Sequence, residues 1–236
     1  MEQLRPDEWL AGSGIYFDDA SLVERALTHR SYVNENRDAL EDNERLEFLG
    51  DAALDFLSAA WLYNRFPEMD EGHLTRLRSA LVRTEQLASF AKELDLGQAM
   101  LLGHGEHLSG GRERPALLCA AFEALIGAMY LDGGLDKVRD FMEARFRRAV
   151  EVSLQDESLF DARSLLQIWA QSEIGMTPLY RTVKSTGPDH DREFVVEVQA
   201  GQRVVAQGKG SSKQEAAQQA AAAALREVGW PNLQIG

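Results

Sequence analysis

The stretch Asn43-Glu44-Arg45-Leu46-Glu47-Phe48-Leu49-Gly50-Asp51 carries three carboxylates at spacings of three and four. On a helix those spacings align Glu44, Glu47 and Asp51 on one face. Leu46, Phe48 and Leu49 are interleaved with them, so the acidic stripe adjoins an apolar face. Like charges so placed repel by about 0.2–0.5 kcal/mol per exposed pair, and by more once desolvated. A divalent cation would turn that repulsion into binding. Mg²⁺ takes oxygen ligands and keeps several waters, which suits one or two carboxylates plus substrate phosphates. Taken alone, the stripe more often marks a solvated acidic helix face.

Glu123 is more informative. It is the single charge between Pro115 and Leu131, within Ala120-Ala121-Phe122-Glu123-Ala124-Leu125-Ile126-Gly127-Ala128. A helix apolar nearly all round is buried. An ionised carboxylate there is costly unless a cation or hydrogen bonds meet it. The alternative is a protonated or arginine-paired core glutamate. The lone cysteine, Cys119, lies in the same run and reads as a buried free thiol, with no internal disulfide available. Glu71, before Gly72-His73-Leu74-Thr75, reads as a helix N-terminal charge or as a further acidic member.

Residues 18 to 150 carry helical periodicity, as in Leu46, Leu49, Ala53, Leu54, Leu57 and in Leu74, Leu77, Leu81, Leu87. Breaks are expected at Phe66-Pro67, at Gly103 to Gly111 and at Gly133-Gly134. The stretch 103–111 reads as a loop, and Pro115 as the opening of the next helix. After Asp161 the pattern changes. A helix over Asp161–Glu173 precedes alternating segments at Tyr180–Lys184, Glu193–Val198 and Arg203–Ala206, with turns at Gly187-Pro188 and Gly201-Gln202. An alanine-rich helix, Ser212–Val228, closes the pattern, with Gly229 as its stop. The fold class expected is a mainly α N-terminal domain over 1–152, a linker over 153–160, and a small α+β domain over 161–230 in the order α-β-β-β-α.

The 236 residues carry a net charge of −13. From Asp161 onward acids and bases balance at 8 each, so the whole excess lies before it. A strongly acidic domain joined to a neutral one fits clustered carboxylates, or simply a solvated surface. The polar opening Met1–Asp7 predicts no signal peptide, and the apolar run is short for a membrane span. A cytoplasmic protein with no membrane partner is expected. No G-x-S-x-G, P-loop or Rossmann glycine pattern occurs, so no nucleotide cofactor is expected. The histidines show neither HExxH nor EF-hand spacing, which argues against zinc or calcium. A carboxylate-bridged di-iron site would need Glu-x-x-His pairs, and the acidic helices have none.

Asn43 to Asp51, continued by Ala52-Ala53-Leu54, closely resembles the signature of the ribonuclease III family. Glu71-Gly72-His73-Leu74-Thr75 looks like its acidic segment. Gly103–Glu106 with Ser109–Arg112 resembles its loop, and Phe122–Asp132 its second acidic helix. The tail resembles a double-stranded-RNA-binding domain, through Leu165-Leu166-Gln167, Gly187-Pro188-Asp189-His190 and Gly208–Ala217. The resemblance spans almost the whole chain.

It implies a homodimeric endoribonuclease that cleaves double-stranded RNA in ribosomal and messenger RNA processing, leaving 5′-phosphate and 3′-hydroxyl ends. Glu47, Asp51 and Glu123 would hold Mg²⁺, with Mn²⁺ as a substitute, and Asp51 and Glu123 would be catalytic. Glu44 and Glu71 would line the acidic cleft, and Phe48 would pack into the partner subunit. Gln167, Gln171, His190, Lys209, Ser212 and Lys213 would meet RNA.

Two departures stand out. The family usually has an aspartate where this chain has Ala120, so one metal ligand is missing and reduced activity is expected. The alternative is a double-stranded-RNA-binding dimer with weak or no cleavage. In the tail, Gln214 follows Lys213 where two basic residues often stand together, and Ile168 stands where an acid is frequent, so modest RNA affinity is expected.

Overall fold

The computed structural model describes residues 4–39, 41–67, 69–154, 161–188, 192–202 and 204–229. The chain divides into two compact units, Met1–Asn64 with Leu74–Ala149, and Arg65–His73 with Val150–Gly236.

The helices before residue 155 are α1 (Pro6–Ser13), α2 (Ala20–Ala26), α3 (Arg30–Glu35), α4 (Glu44–Arg65), α5 (Glu71–Val82), α6 (Thr84–Glu93), α7 (Leu96–Ala99), α8 (His104–Leu108) and α9 (Pro115–Leu154). The core of the first unit forms where their apolar faces meet. α4 buries Leu46, Ala53, Leu54, Leu57 and Leu62, as its periodicity predicts. In α9, Ala121, Phe122, Ala124, Leu125, Ile126 and Ala128 are fully buried. Phe122 stacks at a tilt on Phe90 of α6, with ring centroids 5.6 Å apart. Each such side chain contributes about 1.5–3 kcal/mol by leaving water. α9 is long and apolar enough to cross a membrane, but this burial makes its apolar half a core element.

The start of α4 is fixed by Asn43, which is 4% exposed. Its side-chain amide donates to the Ala26 carbonyl at 3.2 Å, and its backbone N–H donates to the Thr28 carbonyl at 2.9 Å. A buried amide with both bonds made sets where the acidic stripe begins.

The break expected at Gly133-Gly134 is present: Gly134 takes φ 72° and ψ −172°, so α9 is two helical segments joined at a kink. Beside the kink, the Asp132 carboxylate accepts from the backbone N–H groups of Asp18 and Asp19 and pairs with Lys137, so the break is held in place. One expectation is corrected. The stretch 103–111 is not a plain loop, because it forms α8 and the start of a 3-10 turn, Gly111–Glu113. Contacts from distant residues order it. The Glu35 carboxylate accepts the His104 N–H at 2.8 Å. Arg112 donates from Nη1 to the carbonyls of Gly97, Gln98 and Met100. Arg114 pairs with Glu106.

In the second unit, β1 (Leu179–Thr186), β2 (Glu193–Ala200) and β3 (Val204–Gly210) form an antiparallel sheet in the order β1-β2-β3. α10 (Ala162–Ile174) and α11 (Lys213–Glu227) flank it in sequence, which gives the expected α-β-β-β-α order. Asp161 caps α10, accepting from Arg163 and Ser164, and Ser212 caps α11, accepting from Glu215. The alanines of α11 at 216, 217, 220, 221 and 224 are buried. Their small size lets the helix lie against β3. A β-carbon at Gly208 would sit 2.1 Å from the Ala220 nitrogen, so only glycine allows this approach. The strand expected from Arg203 begins at Val204 (Arg203 lies outside the described residues) and extends on to Gly210.

Candidate active site

α4 and α9 cross with their backbones in contact. A β-carbon at Gly50 would lie 1.8 Å from the Glu123 carbonyl oxygen and 2.8 Å from the Gly127 nitrogen. A β-carbon at Gly127 would lie 2.2 Å from the Leu46 carbonyl oxygen. Two glycines, one on each helix, therefore permit an approach that any side chain would block. Glu47 and Asp51 bracket Gly50 on α4, and Glu123 sits at the contact on α9. The crossing brings together three carboxylates that are drawn from two distant parts of the sequence.

Their electrostatics follow. Burial, then the charges of Asp51 and Glu47, push the Glu123 carboxyl up to about 7. Glu47 is half-buried, and burial followed by Glu44, Asp51 and Asp42 raises it above the usual carboxylate range. Charged groups that disfavour one another are held together by the packing of the two helices. The Cys119 sulfur lies 3.6 Å from Glu123 Oε1. Burial, then the Glu123 carboxylate, push this thiol up to about 12.

The other expected site residues fall as follows. Glu44 is exposed in the first turn of α4 and meets Arg30 at 3.3 Å. A pair so exposed contributes little to stability. Glu71 is exposed and opens α5, where it complements the helix N-terminus. Ala120 is partly exposed one turn before Glu123 and offers no oxygen. Phe48 is 78% exposed, and the same helix also exposes Phe56 and Tyr63. In the second unit, Gln167 and Gln171 occupy successive turns of α10, Gln167 exposed and Gln171 partly so. Lys209 is exposed on β3 opposite Val195, and Lys213 is exposed in the first turn of α11. The Ser212 oxygen accepts from Glu215 N–H at 3.1 Å as the helix cap. His190 lies outside the described residues.

Among the described residues, no group of three or more His, Cys, Asp and Glu side chains is arranged so that it could hold a metal ion by itself. The donor set is nevertheless all oxygen, anionic and mutually repelling. It fits a hard cation that draws only a few ligands from protein and the rest from water and substrate. Sequence reasoning alone missed the Gly50–Gly127 contact and the bond from Cys119 to Glu123. The first has a visible trace in two glycines inside helical runs. The second could have been read from the spacing of four on one helix face.

The chain thus carries a helical domain with carboxylates at a helix crossing, followed by an α-β-β-β-α module. Residues 19–150 match the family model described as ribonuclease-III-like, and residues 162–228 match the double-stranded RNA binding motif. The Ribonuclease 3 of Roseiflexus sp. (strain RS-1) is 49% identical over 223 residues, which cover 93% of this chain and 94% of that one. That of Protochlamydia amoebophila (strain UWE25) is 43% identical over 218 residues, covering 92% and 90%. The solved nuclease domain of ribonuclease III from Campylobacter jejuni aligns with a TM-score of 0.55 at 35% identity, over 60% of this chain and 95% of that one. The chain belongs to the ribonuclease III family. It is an endoribonuclease whose substrate class is double-stranded RNA, and the reading as a non-cleaving scaffold is not favoured.

Proposed function

We propose that Glu47, Asp51 and Glu123 hold Mg²⁺, with Mn²⁺ able to replace it, for phosphodiester hydrolysis leaving 5′-phosphate and 3′-hydroxyl ends. The observation that carries this reading is the close backbone contact of Gly50 with Glu123, which sets Glu123 beside the helix bearing Glu47 and Asp51; burial and those two charges push its carboxyl up to about 7. A fold that holds three such groups together without a positive partner loses stability at neutral pH. When bound, a divalent cation activates water and neutralises charge on the transferring phosphate. The chain's own residues do the rest. The Gly50–Gly127 contact sets the spacing of the carboxylates. Asp51, exposed at the cluster, faces the solvent from which water and substrate arrive. Glu44 adds charge to the cleft.

Ala120 supplies no ligand, so metal affinity is reduced and cleavage is slow at low Mg²⁺. Lys213, at a helix N-terminus, and Lys209 would meet phosphates across a major groove. Gln167 and Gln171 would reach 2′-hydroxyls, in a module that spans about 16 base pairs and reads shape more than sequence. The exposed Phe48 supports a homodimer, since a large apolar ring in water is a site of association. The Campylobacter jejuni nuclease domain has a region involved in dimer formation, which favours the same assembly here. We place the activity in the cytoplasm, in maturation of ribosomal and other structured transcripts.

The test is incubation of the purified protein with long double-stranded RNA, with and without Mg²⁺. Cleavage that requires the ion is expected. Intact RNA at every Mg²⁺ and Mn²⁺ concentration, with binding retained, would refute the reading.

A further inference from the structure

Cys119 precedes Glu123 by one turn of α9, with its sulfur 3.6 Å from Oε1. The residue is 7% exposed. Thr84, at the start of α6, acts on the same thiol from a second element. Among the described residues, the thiol is the one hydrogen-bond partner of the Glu123 carboxylate. A cysteine S–H is a weak hydrogen-bond donor, and 3.6 Å to Oε1 is within its reach.

A glutamate carboxylate set among like charges has rotamer freedom that would carry it away from Glu47 and Asp51. We infer that Cys119 is a positioning residue for the reaction: its S–H donates to Oε1 of Glu123 and fixes how that carboxylate faces Glu47 and Asp51. The inference rests on the reading of Glu123 as a metal ligand. Ala120 makes the orientation matter more. With no oxygen at 120, each remaining carboxylate carries a larger share of the ion. Groups that orient ligands in this way contribute strongly to metal affinity.

The test uses the full chain and two readouts. The chain holds one cysteine, so the infrared S–H stretching band reports this residue alone. In metal-free protein the band is expected at a hydrogen-bonded frequency, moving up in Glu123→Ala; a band that stays put overturns the inference. Binding of Mn²⁺ alone is then followed by electron paramagnetic resonance. Cys119→Ala should raise the Kd about tenfold, while Cys119→Ser, which keeps a donor, stays within about twofold of wild type. Equal affinity in Cys119→Ala and wild type overturns the inference, as do equal losses in both variants. A wild-type chain that binds no Mn²⁺ overturns the metal reading, and this inference with it. A chain that binds Mn²⁺ but whose band does not move overturns this inference alone.

Discussion

Gly50 touches the backbone of Glu123 so closely that a β-carbon on it would lie 1.8 Å from the Glu123 carbonyl oxygen. The acidic stripe on α4 and the half-buried carboxylate of Glu123 on α9 lie beside each other because of that contact.

Gly50→Ala should force the two helices apart. Overpacking of this kind costs about 1–3 kcal/mol, and backbone is the obstacle here, so the upper end applies. Thermal melting should show the loss. Cleavage should fall further than the melting curve accounts for, because the carboxylates move with the helices. A variant with wild-type melting and wild-type rate would contradict the contact.

The pH dependence of the metal-free protein follows from Glu123. Its carboxyl sits at about 7 in the folded chain against an ordinary 4.5. Between those values the folded chain keeps a proton that the unfolded chain has released, so stability falls as pH rises through the window. Glu47 is raised too and acts with the same sign. With solvent screening allowed for, the loss is about 2 kcal/mol. Denaturant titrations at pH 5 and pH 8 measure it. Glu123→Gln should flatten the difference, and Mg²⁺ should restore stability at pH 8.

Ala120→Asp returns an oxygen one turn before Glu123. Cleavage at low Mg²⁺ should rise by about tenfold, in line with a recovered ligand, with less change at saturating Mg²⁺. Initial rates across a Mg²⁺ series decide it. An unchanged rate at low Mg²⁺ would mean that 120 is not the vacant ligand position.

Lys213→Ala should weaken binding to double-stranded RNA of any sequence and reduce the salt slope by about one. Filter binding across a salt series reads both. Ser212→Ala acts differently: it removes the α11 cap at a cost of about 1 kcal/mol and lowers stability of the module. If Lys213→Ala leaves both affinity and slope unchanged, its phosphate role is wrong.

Phe48→Ala should shift the protein from dimer towards monomer, because the ring is 78% exposed in the single chain. Light scattering coupled to size exclusion reports the mass. Persistence of a dimer of wild-type stability would remove Phe48 from the interface.

Much of this was legible in the residues. Glu123 stood out because a lone charge in an apolar run needs a partner. The order of strands and helices after Asp161 followed from alternation giving way to an alanine-rich helix. What escaped depended on contacts between distant parts of the chain. The stretch 103–111 is glycine-rich and reads locally as a loop. It forms α8 because Glu35, Arg112 and Arg114 supply bonds that no local pattern carries. β3 runs past Ala206 because its ladder with β2 continues to Gly210 opposite Phe194. The meeting of Glu47, Asp51 and Glu123 was readable only through family resemblance, since their spacing in sequence says nothing about a helix crossing.

The kink at Gly134 has a consequence for how the chain tolerates length changes. A residue inserted in a continuous helix turns everything beyond it by about 100°. Inserted between Pro115 and Glu123, it would rotate the carboxylate away from Gly50. Inserted after Gly134, it falls beyond the break and leaves the register of Glu123 untouched. The damage there falls on packing instead, because Val138, Met142, Phe146 and Val150 would be turned out of the core.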